Sequence, residues 1–332
     1  MMAILKWFIG FIPAAITQGT PLLFGSTGEI ITEKSGNLNL GIPGIMYMGG
    51  VSGIIGAFFY EKFAADAFNP IIAVIVPTVC ALIGSALMAL IYSFLTITLR
   101  ANQNVTGLAL TTFGMGVGNF FGGSLAQLFG AGGSLSVKRT SDLMRLPLPF
   151  ADKCGAFGDI FMSYGFLVYV AIIVAIISAW FLKRTRVGLN LRAVGENPAT
   201  ADAAGINVTR YKYLSTVIGG AIAGLGGLYY IMDYACGTWS DGGFGDRGWL
   251  AIALVIFALW NPKSAIWGSY LFGGLYIMSA YLTLGDNRAM KYLVEMLPYV
   301  VTLLVLVIIS MRKKREHQPP QSLGLPYFRE ER

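Results

Sequence analysis

The sequence predicts an all-α fold: a polytopic transmembrane helical bundle of about eight to ten spans, with one short helix between two of them on the cytoplasmic side. Three observations carry this. Hydrophobic residues fill 55% of the 332 positions and charged residues only 12%, about half the roughly 25% usual for soluble domains. Mean hydropathy is +0.64. The apolar residues also cluster in long blocks. A water-soluble chain of this size could not hide so much apolar surface behind so little charge.

The blocks define the elements in order. No Asp, Glu, Lys or Arg occurs in residues 7–28, 38–60, 71–99, 103–137, 162–182, 213–232, 249–262 or 264–285, and residues 292–311 contain only Glu295. A spanning helix needs about 20 apolar residues, and most blocks meet this. Block 249–262 is short and reads as a partial span or one that borrows Arg247 and Gly248. The count is therefore nine. The runs are continuous rather than alternating, which excludes a barrel. The first block follows Lys6 without a small-x-small cleavage site, so it reads as a retained helix rather than a removed leader.

Charge sets the orientation. Arg312, Lys313, Lys314 and Arg315 follow the last block, and Lys183, Arg184, Arg186 and Arg192 follow block 162–182. Basic residues at helix ends mark the cytoplasmic side. Four spans separate the two clusters, so both face inward, with Lys263, Arg100 and residues 29–34 on the same side. The C-terminus is then cytoplasmic and the N-terminus outside. Lys6 and the group Lys138, Arg139 and Arg145 run against this count.

Several functions are excluded. No G-x-x-x-x-G-K-[ST] phosphate loop is present. The sole histidine is His317, in the tail, and Cys80, Cys154 and Cys236 are scattered. No metal centre, cofactor site, disulfide framework or histidine-based catalytic site follows from this. A nucleic-acid role for the basic tail does not fit a membrane-embedded chain. Proton-driven transport needs titratable groups within the spans, and the long blocks hold none. Asp233 and Glu295 lie near block ends and read as interfacial carboxylates. The chain thus moves something with energy from a partner, or acts as a passive channel.

Residues 186–213 could receive that energy. The stretch is too polar to span. Asn197 is a preferred N-cap and Pro198 fits the first helical position. Ala199, Thr200, Ala201, Asp202, Ala203 and Ala204 then form about two turns, and Gly205 is a natural C′ residue. Thr209 can cap the next helix from Arg210. A helix this short needs packing against something. By spacing alone it is either a docking element for a soluble partner or an interfacial connector.

Here the residues carry a resemblance. G-L-x-L-R-A-V-G-E-N-P-x-x-A-D-A-A-G-I-N-V, continuing through residues 219–227, resembles the cytoplasmic coupling segment of ABC-importer permeases of the branched-chain amino acid, simple-sugar and nucleoside group. Residues 31–41, 101–111 and 247–254, with Trp260, Asn261 and Pro262, match further family stretches. The nucleoside and simple-sugar branch is closest. The resemblance implies one permease domain over residues 1–311, with its coupling segment at 186–210, followed by a basic cytoplasmic tail at 312–332. It implies a coupling helix at Glu196, Asn197, Pro198, Ala199, Thr200, Ala201, Asp202, Ala203, Ala204 and Gly205 that docks on a cytoplasmic ABC ATPase. It further implies a second permease subunit of the family, identical or not, and an extracytoplasmic solute-binding protein, all working on a chain solvated by membrane lipid. The expected cargo is a nucleoside, with a simple sugar as the alternative. The expected location is the cell membrane. Pro43 departs from the family, which usually has an acidic residue there.

Two neutral polar clusters are the candidates for the translocation path. Gly36, Gly41, Pro43 and Gly44 weaken a helix, while Asn37 and Asn39 supply amides. Two readings stand for this stretch. It is a broken helix lining a pathway, or a helix start outside the membrane capped by Ser35 or Asn37. Asn102, Gln103, Asn104 and Thr106 form the second cluster. These groups suit sugar hydroxyls or nucleobase edges, or sit at the interface. Small-xxx-small pairs at Gly49/Gly53, Gly114/Gly118/Gly122 and Gly220/Gly224 fit packing within the chain or against a second permease. A secondary transporter or channel is the rival class and predicts intramembrane titratable groups.

Overall fold

A computed structural model describes residues 2–64, 67–128, 135–149, 155–282, 288–311 and 318–328. In chain order the helices are α1 (Met2–Glu33), α2 (Ile42–Phe63), α3 (Pro70–Ser93), α4 (Gln103–Leu128), α5 (Lys138–Met144), α6 (Gly155–Phe161), α7 (Phe166–Arg184), α8 (Arg186–Glu196), α9 (Pro198–Ala203), α10 (Val208–Tyr229), α11 (Arg247–Phe257), α12 (Pro262–Tyr281), α13 (Arg288–Glu295) and α14 (Leu297–Met311). Single π-helical turns extend α3 (Phe94–Thr98) and α10 (Tyr230–Tyr234). Among the described residues the only β pairing is an isolated bridge between Ser136 and Thr238. Arg312 to Arg315 and Cys154 lie outside the described residues.

Each of the nine apolar blocks carries a helix. Among the described residues, four of these helical stretches are both long and apolar enough to cross a bilayer: Ile42–Phe63, Pro70–Thr98, Phe166–Arg184 and Val208–Tyr234. The bent pair Ala289–Glu295 and Leu297–Ile308 makes a fifth if it is one span. α1, α4 and α12 have 32, 26 and 20 residues and dilute their apolar runs with Gly, Ser or Thr. α11 has only 11 residues, as its short block implied.

The dilution serves packing. α1 lies along α10 and α12, and α2 lies along α3, α4 and α10. A methyl group on Gly219 would sit 2.4 Å from the Gly28 carbonyl oxygen, and one on Gly49 would sit 2.3 Å from that of Gly224. One on Gly114 would sit 2.6 Å from the carbonyl oxygen of Gly44. Backbones this close gain dispersion contacts where lipid offers no hydrophobic drive. Every glycine of the three small-xxx-small sets faces its own chain, so intrachain packing accounts for all of them.

Between α1 and α2 the chain is non-helical and buried. Ser35, Asn37 and Asn39 are each at most 1% exposed. Neither Ser35 nor Asn37 caps α2: Ser35 donates back to the Thr32 carbonyl (2.7 Å), and the N-cap is Gly41, without a side-chain bond. The cap that the helix-start reading named, Ser35 or Asn37, is therefore not the one used. Pro43 lies in the first turn of α2, where no N–H is needed, and its ring packs against Gly248 of α11.

Candidate coupling and translocation site

The coupling segment is built from local caps. The Thr185 hydroxyl accepts from Gly188 N–H (3.0 Å) and starts α8. Asn197 ends α8, and its side chain accepts from Thr200 N–H (3.0 Å) to start α9. Pro198 occupies the first helical position as expected. α9 is six residues long, just under two turns. Its end is a Schellman motif: Ile206 N–H reaches the Ala201 carbonyl (3.0 Å) and Gly205 N–H that of Asp202 (2.9 Å). Gly205 holds φ +85°, a conformation that side chains bearing a Cβ resist. The next helix is capped by Asn207, which accepts from Arg210 N–H (2.9 Å). This corrects the expected cap at Thr209. Asx side chains cap as well as hydroxyls, and the start shifts to Val208.

One face of α9 is fixed. Ala201 is buried with Val194 and Val208, and Ile206, Tyr211 and Tyr327 pack around them. The other face is free: Ala203, Ala204 and Gly205 are exposed. α8 is tied to α10 by Asn190 donating to the Tyr211 hydroxyl (3.0 Å).

The tail supplies a brace that no sequence signal announced. Ser322 donates to the Gly195 carbonyl through its N–H (3.0 Å) and hydroxyl (2.5 Å). Gly324 N–H donates to the Gly36 carbonyl (3.2 Å). The Tyr327 hydroxyl donates to Asp202 (2.9 Å). Residues 322–327 therefore join the α1–α2 break to α8 and α9. Gly195 itself abuts the Lys34 carbonyl, where a methyl would come within 2.3 Å.

The candidate path residues divide. Asn37 donates to the Thr216 hydroxyl (3.0 Å) while its Oδ1 has no partner. Asn39 accepts from Gly41 N–H (2.9 Å), and its own N–H donates to Glu29 (3.0 Å). Gln103 accepts from Leu38 N–H (2.7 Å). The Tyr92 hydroxyl donates to the Leu38 carbonyl, and Thr111 donates to that of Leu40 (2.9 Å). These amides hold the break in shape. Asn102 is exposed and caps α4, accepting from Asn104 and Val105 N–H (3.0 and 3.1 Å). Asn104 is exposed, and Thr106 is buried near the same helix start.

Asn37 and Gln103 also line a cavity of about 670 Å³, together with Arg100, Asp202, Gly205 and Lys212. This cavity joins the first path cluster to the coupling segment, which lies about 100 residues or more further along the chain. Sequence reading placed residues 29–34 on the cytoplasmic side and gave Glu29 and Glu33 no role. Both are buried inside the bundle, Glu29 under the break and Glu33 accepting from the Trp260 indole. Their spacing of four on one helix face was the available signal.

The described residues thus form a bundle of apolar helices that carries a stiff, capped helix on one interhelical loop. Residues 11–309 match the family described as branched-chain amino acid transport system / permease component, and the chain belongs to that family. Similar proteins include NupC of Lactococcus lactis subsp. cremoris, a nucleoside ABC transporter permease, at 32% identity over 88% of this chain and 90% of that protein. NupQ of Bacillus subtilis, a guanosine ABC transporter permease, is 29% identical over 97% of each. TsgC13 of Haloferax volcanii, provisionally named a glucose ABC transporter permease, is 33% identical over 80% of this chain and 75% of that one. The protein is thus a permease subunit of an ABC transporter, a transport component rather than an enzyme.

Proposed function

We propose that this chain is the membrane subunit of an ATP-driven importer for nucleosides, with α9 as its coupling helix. The observation that carries this is the build of α9. Both ends are capped, one face is anchored to α8 and α10, and the opposite face is open. An anchored helix can pass a push from a soluble ATPase into α10, where a floppy loop could not. Closure of the ATPases on ATP would move residues 196–205 and, through the shared cavity wall, the break at residues 36–41. Asn37, Asn39, Asn102, Gln103, Asn104 and Thr106 are the residues of the translocation path, and of these Asn37 and Gln103 line the cavity. The assembly contains a second permease of the family and an extracytoplasmic binding protein, and the C-terminus faces the cytoplasm. Nucleoside is favoured over sugar because NupC and NupQ are matched along most of both chains.

The test is ATP-driven uptake into proteoliposomes holding this chain with its genomic-neighbour ATPase, second permease and binding protein. Labelled guanosine should accumulate, and unlabelled adenosine should compete. Accumulation of glucose with no nucleoside uptake would replace the cargo. Uptake that does not need ATP would replace the mechanism.

A further inference from the structure

A second cavity, of about 730 Å³, opens where α7, α8 and the start of α12 meet. Lys34, Lys183 and Arg192 line it, with Glu196 as the lining carboxylate and Leu182 and Leu189 on its apolar wall. Three cations against one carboxylate leave a positive surplus. Among the described residues this surplus is not fully met. The Arg192 Nε is buried without a hydrogen-bond acceptor, a costly state for a guanidinium. The Lys34 ammonium is held below the ordinary lysine range by burial, with Arg192 and Lys183 adding to it against Glu196 and Glu33.

The surroundings identify what fills the gap. On α8, Val187 and Leu189 are about half exposed beside the exposed Arg186. A helix with bare apolar and basic residues together belongs in the membrane interface. On α7, Ile176 and Trp180 are exposed one turn apart and lead to Lys183. An outward Trp with a basic residue beyond it marks the headgroup layer. The cavity therefore has an acyl-facing wall and a cationic rim.

We propose that this cavity binds the phosphate headgroup of an anionic lipid in the leaflet on the coupling-segment side. The headgroup phosphate accepts from Arg192 and is held by Lys34 and Lys183, and the acyl chains run along the exposed face of α7. Basic pockets between helices take anionic headgroups in this way. The bound lipid would fix α8, whose last residue adjoins the Asn197 cap of α9. The readout is lipid retention, so this inference stands or falls apart from the transport reading.

The test is native mass spectrometry of the full chain in mild detergent with phosphatidylglycerol or phosphatidylcholine of matched acyl chains. Wild type should prefer phosphatidylglycerol by about tenfold or more. The double variant Lys183→Gln/Arg192→Gln should lose the preference, while Lys138→Gln/Lys291→Gln, placed elsewhere on the surface, should keep it. Arg192→Lys, which keeps the charge but not the fork, should bind with intermediate strength and guards against a folding defect in the double variant. Equal retention of the two lipids, or loss in the control double variant as well, would overturn the proposal. So would displacement by millimolar inorganic phosphate, which would make the site one for free phosphate. Displacement by the added ATPase would assign the cations to protein docking and overturn it too.

Discussion

Two polar segments interrupt the apolar helices, and they are stabilised in opposite ways. Residues 197–207 lie at the surface and satisfy their backbone locally, through Asn197, the Schellman turn at Gly205 and Asn207. Residues 34–41 are buried and rely on distant partners: Gln103 and Tyr92 on Leu38, Glu29 on Asn39, Thr111 on Leu40 and Thr216 on Asn37. Buried backbone groups must be paired, and non-helical backbone in a membrane bundle survives only where neighbours pair it. The exposed segment is thus a module that can fail alone. The buried one fails with the bundle around it.

The first way to break the comparison is to attack the bundle itself. Gly219→Val forces a side chain into the Gly28 backbone at a contact of 2.4 Å, and overpacking of this kind costs about 1–3 kcal/mol or more. Folded yield and melting temperature should both drop sharply, read by fluorescence-detected size exclusion and thermal melting. Next comes the buried segment. Gln103→Leu leaves the Leu38 N–H without its acceptor, at a cost of about 1–3 kcal/mol. Uptake and ATPase co-purification should fall together, because the change loosens the fold. Loss of uptake with full stability would instead make Gln103 a contact for the cargo.

The exposed module should behave differently. Gly205→Val places a β-branched residue at φ +85°, where the left-handed region costs about 1–2 kcal/mol. Melting should barely move, since α9 carries little of the fold, while ATP-driven uptake should be abolished. The smallest effect is expected from Tyr327→Phe. It removes the hydrogen bond from the tail to Asp202, a change of about 0.5–1.5 kcal/mol. Initial uptake rates should fall part-way with insertion and melting unchanged.

The module was legible in the sequence for the same reason that it is separable. Asn197, Pro198 and Gly205 are local signals, and each took the role its chemistry prescribes. The one slip, Thr209 for Asn207, was a choice between capping residues two positions apart. The long helices were legible from the apolar blocks, with the short α11 foreseen as short, whereas α5, α6 and α8, in the polar stretches between blocks, were not. The partnerships of the break were not. Nothing near Leu38 marks Gln103 or Tyr92 as its partners, because those pairings arise from how α1, α3 and α4 assemble. The burial of Glu29 and Glu33 was not foreseen, because acidic residues at the end of an apolar block normally mark a loop. Here Asn39 and Trp260 donate to them inside the bundle. The brace from Ser322 and Tyr327 was invisible because a polar tail carries no pattern that says where it docks.

The most direct test of the central claim is site-specific photo-crosslinking in the assembled complex. One photoreactive residue replaces Ala203, on the open side of α9, and another replaces Phe63, exposed at the far end of α2. The account predicts a crosslink from position 203 to the ATPase that strengthens when ATP binds, and none from position 63. An ATPase crosslink from position 63, or none from position 203 in a complex that still transports, would contradict it.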